Sequence, residues 1–314
     1  MKTRFIFNPY SGHNRKRPGL DAAIRDFISA RSLDAQVVTT DAPGHATELA
    51  REAAQTGCEQ VVAVGGDGTM NEVAQALLHT PAALALVPCG SGNGLALHLG
   101  LPLSPLGALT LIAGSAGRVA ALDTGAADGF PFFNAMGLGL DADVSHRFNS
   151  LVQRGLPGYV RTAAAAVRAI RPERVCITSS NFRDELDVYL VAVANSDQYG
   201  NNARIAPGAR VDDGLLDLVA VAPVGLFGAA VLAARLFAGT LDESSRVRRL
   251  RGSSFVIDRV APGLIHTDGE TRAAGARVEV VVRPRSLRVL VPLSSRAAVR
   301  PIDPAPAGFA LQLP

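Results

Sequence analysis

Cysteine is scarce in this chain of 314 residues, and Cys58, Cys89 and Cys176 lack the spacing of a metal site. An odd number of widely separated cysteines predicts no disulfide framework and fits a reducing compartment. We interpret all three as packed thiols, because free cysteine behaves as a small buried hydrophobe.

Long apolar runs are also missing. The run at 5–7 is too short for the core of a signal peptide, so we expect a cytoplasmic protein that is not exported. The uncharged stretch 218–234 is short for a membrane span and is interrupted by Pro223 and Gly225. We interpret it as a strand, a turn and a helix that begins near Leu226, and we expect no transmembrane segment.

Charge of one sign is not concentrated either, since 31 basic and 28 acidic residues leave a net charge of +3. A nucleic-acid-binding protein would be expected to be more basic or to carry a clustered basic stripe, so no nucleic-acid partner is expected. A hydrophobic content of 48% is enough for two cores and excludes a disordered chain. No repeat or coiled coil supports a scaffold role.

Residues 1–116 alternate apolar strands with helical patterns. Strands are predicted at 4–7, 35–39, 60–64 and 83–87, and helices at 20–30, 46–55, 69–78, 95–99 and 105–113. This alternation predicts a doubly wound parallel sheet that is covered on both faces. Ligands bind such sheets beyond the carboxyl ends of the strands.

Residues 117–300 carry shorter β-rich runs, which predict a β-sandwich domain with helices inserted at 141–148 and 159–170. These predicted strands lie at 119–123, 130–135, 174–179, 186–195, 215–222, 255–258, 278–282 and 287–291. The Pro-rich tail 301–314 is expected to be a loose terminus. The predicted fold class is therefore α/β plus β, with the candidate active site in the cleft between the two domains.

Two polar clusters follow the first and third strands. Asn8-Pro9-Tyr10-Ser11-Gly12 offers backbone N–H groups and an amide to a phosphate, although an ordinary turn explains it equally well. The first glycine corner is Gly65-Gly66-Asp67-Gly68-Thr69-Met70-Asn71, which opens a helix. Its glycines allow close approach of a polyphosphate. A carboxylate among phosphate-binding glycines is unfavourable unless it holds Mg²⁺ or accepts a proton, so Asp67 indicates catalysis more than a simple Asx turn.

A second glycine corner, Gly90-Ser91-Gly92-Asn93-Gly94, follows the next strand and opens another helix. Two such corners on neighbouring strands are unlikely to arise by chance, although neither matches the P-loop pattern. Together the three clusters resemble the diacylglycerol kinase and sphingosine kinase superfamily. The resemblance implies an ATP-dependent lipid kinase that binds ATP between an α/β domain and a β-sandwich. By resemblance the contacts to ATP come from Asn8, Ser11, Thr40, Gly65, Gly66, Asp67, Gly68, Thr69, Asn71 and Ser91.

The resemblance extends into the second domain. Asp212-Asp213-Gly214-Leu215-Leu216-Asp217 resembles a family segment that holds a structural Mg²⁺, which implies Asp213 with the carbonyls of Arg210 and Leu215 as ligands. Asp268-Gly269-Glu270 resembles a family element near the site of phosphoryl transfer. Both segments also have the composition of a hairpin turn.

The general base stays open among Asp67, Asp268 and Glu270. The resemblance favours Glu270 or Asp268 in bacterial-type relatives and Asp67 in sphingosine kinase relatives. The acceptor is equally open, because Gly94 resembles the sphingosine kinase form while diacylglycerol remains an alternative.

Two alternatives to a lipid kinase stay open. NAD kinase and phosphofructokinase share the GGDGT-type loop, so one alternative is a kinase with a soluble substrate. The other is a catalytically silent regulator that binds a nucleotide or a lipid.

The expected partner is a lipid at the membrane surface, and a homodimer is left open. Peripheral membrane contact is expected through the helix after Pro223 or through a basic run, Arg246, Arg248, Arg249 and Arg251. A packed helix and a solvated strand face explain these two segments equally well.

Overall fold

The computed structural model of the protein describes residues 1–295, except 13, 17, 141 and 143–170. The predicted helix at 159–170 and the tail at 301–314 lie outside the described residues, and so does the predicted helix at 141–148 apart from Ala142.

A parallel sheet in the order β2-β1-β3-β4 forms the first part of the chain. Its strands are β1 (Thr3–Phe7), β2 (Ala35–Thr39), β3 (Gln60–Gly65) and β4 (Ala83–Pro88). The accompanying helices are α1 (Leu20–Ala30), α2 (His45–Gln55), α3 (Asp67–Leu77), α4 (Gly94–Leu99) and α5 (Pro105–Ala113). Every residue of β1, β3 and β4 is buried, as expected for strands covered on both faces. The predicted parallel-sheet domain is confirmed.

Two antiparallel sheets pack together in the second part of the chain. One continues the parallel sheet and contains β5 (Gly117–Ala127), β6 (Phe130–Phe132), β8 (Glu173–Ser179), β9 (Phe182–Val188), β15 (Ser254–Arg259) and β18 (Arg277–Pro292). The other has the order β14-β13-β10-β7-β16-β17. Its strands are β7 (Ala135–Gly139), β10 (Leu190–Ala194), β13 (Leu216–Val221), β14 (Val247–Gly252), β16 (Gly263–Thr267) and β17 (Glu270–Ala274). Side chains from both sheets share one apolar core, which confirms the predicted sandwich.

The long strand β18 joins the two parts of the molecule. The sequence predicts two strands, at 278–282 and 287–291, but the structure has one strand with an irregularity between Arg283 and Leu287. Val280 lies in the sandwich core, whereas Val289 lies in the first core and pairs with Leu84 of β4. The predicted domain boundary at residue 117 coincides with the start of β5 and stays a prediction.

Two other strand predictions were wrong in extent. The run at 130–135 divides into β6 and β7, and the run at 186–195 divides into the end of β9 and β10. In the second case Tyr189 separates the strands, and its N–H donates to Val221 O at 2.8 Å as the chain passes to the other sheet. A period-2 pattern continues through such a corner, so the sequence does not reveal it.

The uncharged stretch forms strand β13 and then helix α6 (Leu226–Ala238), as predicted. Gly239 ends the helix with a φ of 72°, a backbone conformation that glycine adopts without strain. Within the described part of the chain, no helix has the length and apolar character needed to cross a bilayer.

Candidate active site

The two glycine corners touch at the carboxyl edge of the parallel sheet. The N–H of Cys89 donates to Gly65 O at 2.7 Å, and this bond holds the loop after β4 against the end of β3. A Cβ atom on Gly90 would lie 2.6 Å from the Cα of Gly66. Glycine is therefore required at this crossing, because any side chain at position 90 would force the corners apart.

Asp67 connects the corners electrostatically. It is the first residue of α3, and its Oδ2 and Oδ1 accept hydrogen bonds from the N–H groups of Asn93 and Gly94, both at 2.8 Å. Burial raises the pKa of Asp67, and the two N–H donors oppose that rise. Each carboxylate oxygen retains acceptor capacity, so Asp67 can still receive a proton or face a cation.

The loop after β1 is bound to the first glycine corner. Asn8 Nδ2 donates to Thr69 Oγ1 at 2.8 Å, and Ser11 Oγ accepts from the N–H of Gly66 at 3.2 Å. The structure therefore brings together Asn8, Ser11 and the GGDGT loop, which lie far apart in the sequence. Adjacent parallel strands β1 and β3 produce this contact, because their carboxyl ends lie side by side.

The remaining predicted nucleotide-binding residues lie along the same edge. Thr40 is buried at the end of β2, and its N–H donates to Phe7 O at 2.9 Å. Asn71 is buried, and among the described residues its Oδ1 has no hydrogen-bond partner. Gly68 and Ser91 are exposed and available to a bound molecule.

Asp268 lies in the turn between β16 and β17 and is held by three consecutive backbone donors. Its Oδ2 accepts from Phe133 N–H at 2.7 Å, and its Oδ1 accepts from Asn134 and Ala135 N–H at 2.8 and 3.0 Å. Burial raises the pKa of Asp268 to about 6, and the three donors oppose the rise. Oδ2 retains acceptor capacity, since only one of these bonds reaches it.

Glu270 differs from the other two candidate carboxylates because it is exposed. Its side chain is 50% accessible and lies 3.5 Å from Arg272. Arg272 is itself fixed, since its guanidinium stacks 4.2 Å from the ring centre of Phe130 and donates to Thr267 Oγ1 at 2.9 Å. Glu270 therefore sits at the rim of the turn that carries Asp268.

Asn134 lies between the segments that hold the Asp67 and Asp268 carboxylates. Its own N–H is bonded to Asp268, and a Cβ atom on Gly94 would lie 3.3 Å from its side-chain oxygen. That oxygen also accepts from Ser196 Oγ at 2.9 Å. Gly94, whose N–H is bonded to Asp67, therefore lies between Asp67 on one side and the Asp268 turn on the other.

Sequence reasoning missed a polar segment after β10 that covers the second glycine corner. This segment forms a small hairpin from β11 (Gln198–Gly200) and β12 (Ala203–Arg204). Asn201 N–H donates to Gly92 O at 3.0 Å, and Asp197 Oδ1 lies 2.6 Å from Nδ1 of His98 on α4. The signal was the polar run 195–202 directly after an apolar strand, the same pattern that marks the glycine corners.

The residues predicted to hold Mg²⁺ are oxygen donors of the kind a hard cation prefers. Asp213 already accepts from Leu215 N–H at 3.1 Å and forms an ion pair with Arg251. Burial raises the pKa of neighbouring Asp123, and the charges on Asp213 and Asp212 raise it further. Within the described ranges, no three His, Cys, Asp or Glu side chains are grouped so that they could hold a metal ion. Asp212 and Asp213 pair with Arg210 and Arg251, so a cation held by Asp213 and backbone carbonyls would compete with the Arg251 guanidinium.

The predicted basic run is largely neutralised. Arg248 pairs with Asp184, Arg249 pairs with Asp217 and Asp242, and Arg251 pairs with Asp213 and Asp217. Across the described ranges, Arg246 is the one arginine of this run that makes no ion pair. The run is therefore mostly engaged in ion pairs rather than forming a free cationic stripe.

Two family descriptions together match most of the chain. Residues 2–127 match the diacylglycerol kinase catalytic domain, and residues 134–291 match the YegS C-terminal NAD kinase beta sandwich-like domain. A protein of Pseudomonas fluorescens named "Probable lipid kinase YegS-like" is 31% identical over 89% of this chain and 94% of its own length. A protein of the same name from Xanthomonas campestris pv. campestris is 33% identical, with 85% and 89% covered.

Solved structures share the fold. Two from Bacillus anthracis superpose with TM-scores of 0.79 and 0.71 at 24% and 21% identity. They cover 94% of this chain, and this chain covers 96% and 98% of theirs. The second is named a diacylglycerol kinase. At these identities the likeness supports the fold alone.

Proposed function

This chain belongs to the YegS-like lipid kinase family, and on that premise we propose that it transfers the γ-phosphoryl group of ATP to a hydroxyl group of a membrane lipid. The observation that carries the proposal is the contact between the two glycine corners, with the Asp67 carboxylate bonded across it. A binding module would have little need for buried acids beside phosphate-binding glycines.

ATP binds along the carboxyl edge of the parallel sheet in this proposal. The exposed positions Gly68 and Ser91 and the start of α3 present N–H groups to the phosphates. The proposed ATP site also includes four polar residues of the same edge, Asn8, Ser11, Thr40 and Asn71.

Asp268 is the proton acceptor in the proposed mechanism. A lipid hydroxyl attacks the γ-phosphorus in line, its proton passes to Asp268 Oδ2, and the bond from the γ-phosphorus to the β,γ-bridging oxygen breaks, so that ADP leaves with the electron pair. A base is most effective when its pKa lies near the working pH, which supports Asp268 with a pKa of about 6. Glu270, at the exposed rim, lies where it can contact the incoming lipid.

Two roles for a divalent cation accompany this reaction. When bound with ATP, Mg²⁺ neutralises part of the triphosphate charge. A structural Mg²⁺ would be held by Asp213 and the carbonyls of Arg210 and Leu215, beside the Asp123 carboxylate. The carbonyls and carboxylate position the segment that leads into β13.

The direct test follows labelled γ-phosphate from ATP and Mg²⁺ to acceptors in mixed micelles. The panel contains diacylglycerol, a sphingosine-type base, monoacylglycerol, ceramide and phosphatidylglycerol, with NAD as the soluble control. We expect one labelled lipid and no labelled NAD. Label in NAD alone would move the protein to a soluble-substrate kinase, and ATP binding without any transfer would favour a silent regulator.

The structural cation is tested by stability rather than by turnover. We expect Mg²⁺ to raise the melting temperature of the wild-type protein in the absence of ATP and to leave Asp213→Asn unchanged, because ligands that bind only the folded state stabilise it. Asp184→Asn, which removes another carboxylate paired with an arginine of β14, is the matched control. An equal Mg²⁺ response in Asp213→Asn would remove this site from the proposal.

A further inference from the structure

Helix α6 carries an apolar face that the described residues leave exposed. Leu226, Phe227, Val231 and Phe237 are 57%, 84%, 39% and 38% exposed. At about 100° per residue these side chains span an arc of about 140° on the helix. We call this set the α6 face.

The opposite side of the helix is packed. Leu232 is buried against an apolar cluster that also contains Val219 of β13 and Leu241. The helix is therefore anchored on the outer surface of the second sheet and cannot turn its apolar face inward. Large exposed apolar patches mark interaction surfaces.

One exposed arginine near α6 makes no ion pair with the described residues. The helix contains no acidic residue, and its one charged residue, Arg235, pairs with Glu243 just beyond the helix. Arg204 lies against the C-terminal end of the helix, since a Cβ atom on Gly239 would be 3.1 Å from its Cδ. Arg246 is exposed, and its carbonyl accepts from Ala222 N–H at 2.9 Å just before the helix begins. Arg204 pairs with Asp197, so the cation that remains to complement an anionic lipid surface is Arg246, at the start of this apolar helix.

A short chain of contacts connects α6 with the candidate active site. Arg204 Nε lies 4.0 Å from Asp197, whose other carboxylate oxygen contacts His98 of α4. The β11–β12 hairpin, which carries Arg204, also covers the second glycine corner: a Cβ atom on Gly200 would lie 3.0 Å from the Cα of Gly92. The α6 face is thus placed beside the site where a lipid hydroxyl is required.

We propose that the α6 face docks on the surface of an anionic lipid bilayer and inserts Phe227 and Leu226 among the lipids. The inference rests on the proposed function, because a lipid acceptor brings the enzyme to a bilayer. It assigns membrane contact to α6 instead of the basic run, whose arginines are mostly neutralised by ion pairs.

Sedimentation with vesicles tests the docking without ATP. The full chain is mixed with vesicles of phosphatidylcholine containing phosphatidylglycerol, or of phosphatidylcholine alone. We expect Phe227→Glu to reduce binding by about tenfold or more, since burial of one such side chain is worth about 1.5–3 kcal/mol. Val260→Glu is the matched control, because Val260 is 83% exposed in the turn between β15 and β16. Arg246→Gln should weaken binding to the anionic vesicles alone.

Several outcomes would overturn the docking. The first is that Phe227→Glu binds vesicles as well as the wild-type protein does. The second is that Val260→Glu loses as much vesicle binding as Phe227→Glu. If Phe227→Glu instead converts an oligomer to a monomer in light scattering, with vesicle binding unchanged, the face contacts a second copy. If it lowers the melting temperature with vesicle binding unchanged, Phe227 contributes to the stability of the fold and not to docking.

The two proposals fail separately. Transfer to a short-chain acceptor that dissolves in water should persist in Phe227→Glu, which reports on chemistry without a bilayer. Binding through α6 with no transfer to any acceptor would support the docking and contradict the proposed function. Transfer to lipid with no vesicle binding would support the proposed function and contradict the docking.

Discussion

Asp67 and Asp268 are held in the same way in two unlike parts of the molecule. Each is a partly buried carboxylate that accepts hydrogen bonds from consecutive backbone N–H groups, two for Asp67 and three for Asp268. The donors to Asp67 lie 26 and 27 residues away, after the next strand of the parallel sheet, whereas those to Asp268 lie 133–135 residues away, at the start of β7 and directly before it. The Asp67 contact therefore joins segments that are close in the sequence, and the Asp268 contact joins segments that are far apart.

Glu270, the third candidate acid, differs from both Asp67 and Asp268. Glu270 has no backbone donor among the described residues and faces solvent. A carboxylate fixed by several N–H groups keeps its geometry when a substrate arrives, whereas an exposed side chain must lose rotamer freedom first. This contrast favours Asp268 over Glu270 as the base.

The largest expected effect is on turnover. We expect Asp268→Asn to lower kcat by about 10²–10⁴, the usual contribution of a general base. Glu270→Gln, two residues along the same turn, should change kcat by no more than about tenfold. Steady-state kinetics on the lipid acceptor decides between the two acids, and the reverse order of effects would assign the base to Glu270.

The pH profile sharpens the same contrast. The base must be ionised, and burial raises the pKa of Asp268 to about 6, so we expect kcat to fall as the pH drops through about 6 and to level off above it. The raised pKa also means that this carboxyl stabilises the fold most below its ordinary pKa of 3.8, and that the contribution is lost as the pH rises through 6. A kcat that does not change with pH across this range would contradict the assignment of Asp268 as the base.

Asp67→Asn should have a smaller effect on chemistry but a clear one on the corners. An amide can accept from one N–H group while its NH₂ group faces the other, so one buried donor is left unpaired at a cost of about 1–3 kcal/mol. We expect a lower free energy of unfolding in urea and a higher KM for ATP. Asp26→Asn, at an exposed position of α1, is the control and should change neither.

Gly90→Ala tests whether the corners must touch. The added Cβ would meet the Cα of Gly66 at 2.6 Å, and backbone cannot move aside as a side chain can. We expect a loss of about 1–3 kcal/mol in the free energy of unfolding, as for other overpacked sites. Gly68→Ala is the matched control for stability, because its Cβ has nothing within 4 Å and alanine favours the helix.

The smallest effect is expected at the contact between α4 and the β11–β12 hairpin. His98 and Asp197 lie 2.6 Å apart, with side chains 6% and 17% exposed. In a double-mutant cycle of His98→Ala and Asp197→Ala, we expect a coupling free energy of about 0.5–3 kcal/mol in urea unfolding. A coupling of zero would mean that the two groups are close without interacting.

Local patterns predicted most of the carboxyl edge of the parallel sheet. The alternation of apolar strands with helical patterns predicted the sheet. Glycine and asparagine after β3 and β4 identified the corners, because parallel strands bring their carboxyl ends together. The predicted helix at 69–78 begins two residues earlier, at Asp67. Hydrogen bonds from the neighbouring loop to the Asp67 carboxylate fix this start, and the helix propensity of the residues does not report them.

The sequence by itself determined the fold class, the position of the glycine corners and the three candidate acids, because these depend on short-range patterns. Only the tertiary structure decided that Asn134 and the β11–β12 hairpin complete the site, that the basic run is neutralised and that the α6 face is exposed. Those features arise from contacts between strands that are far apart in the chain, and neither periodicity nor composition reports which distant segments meet.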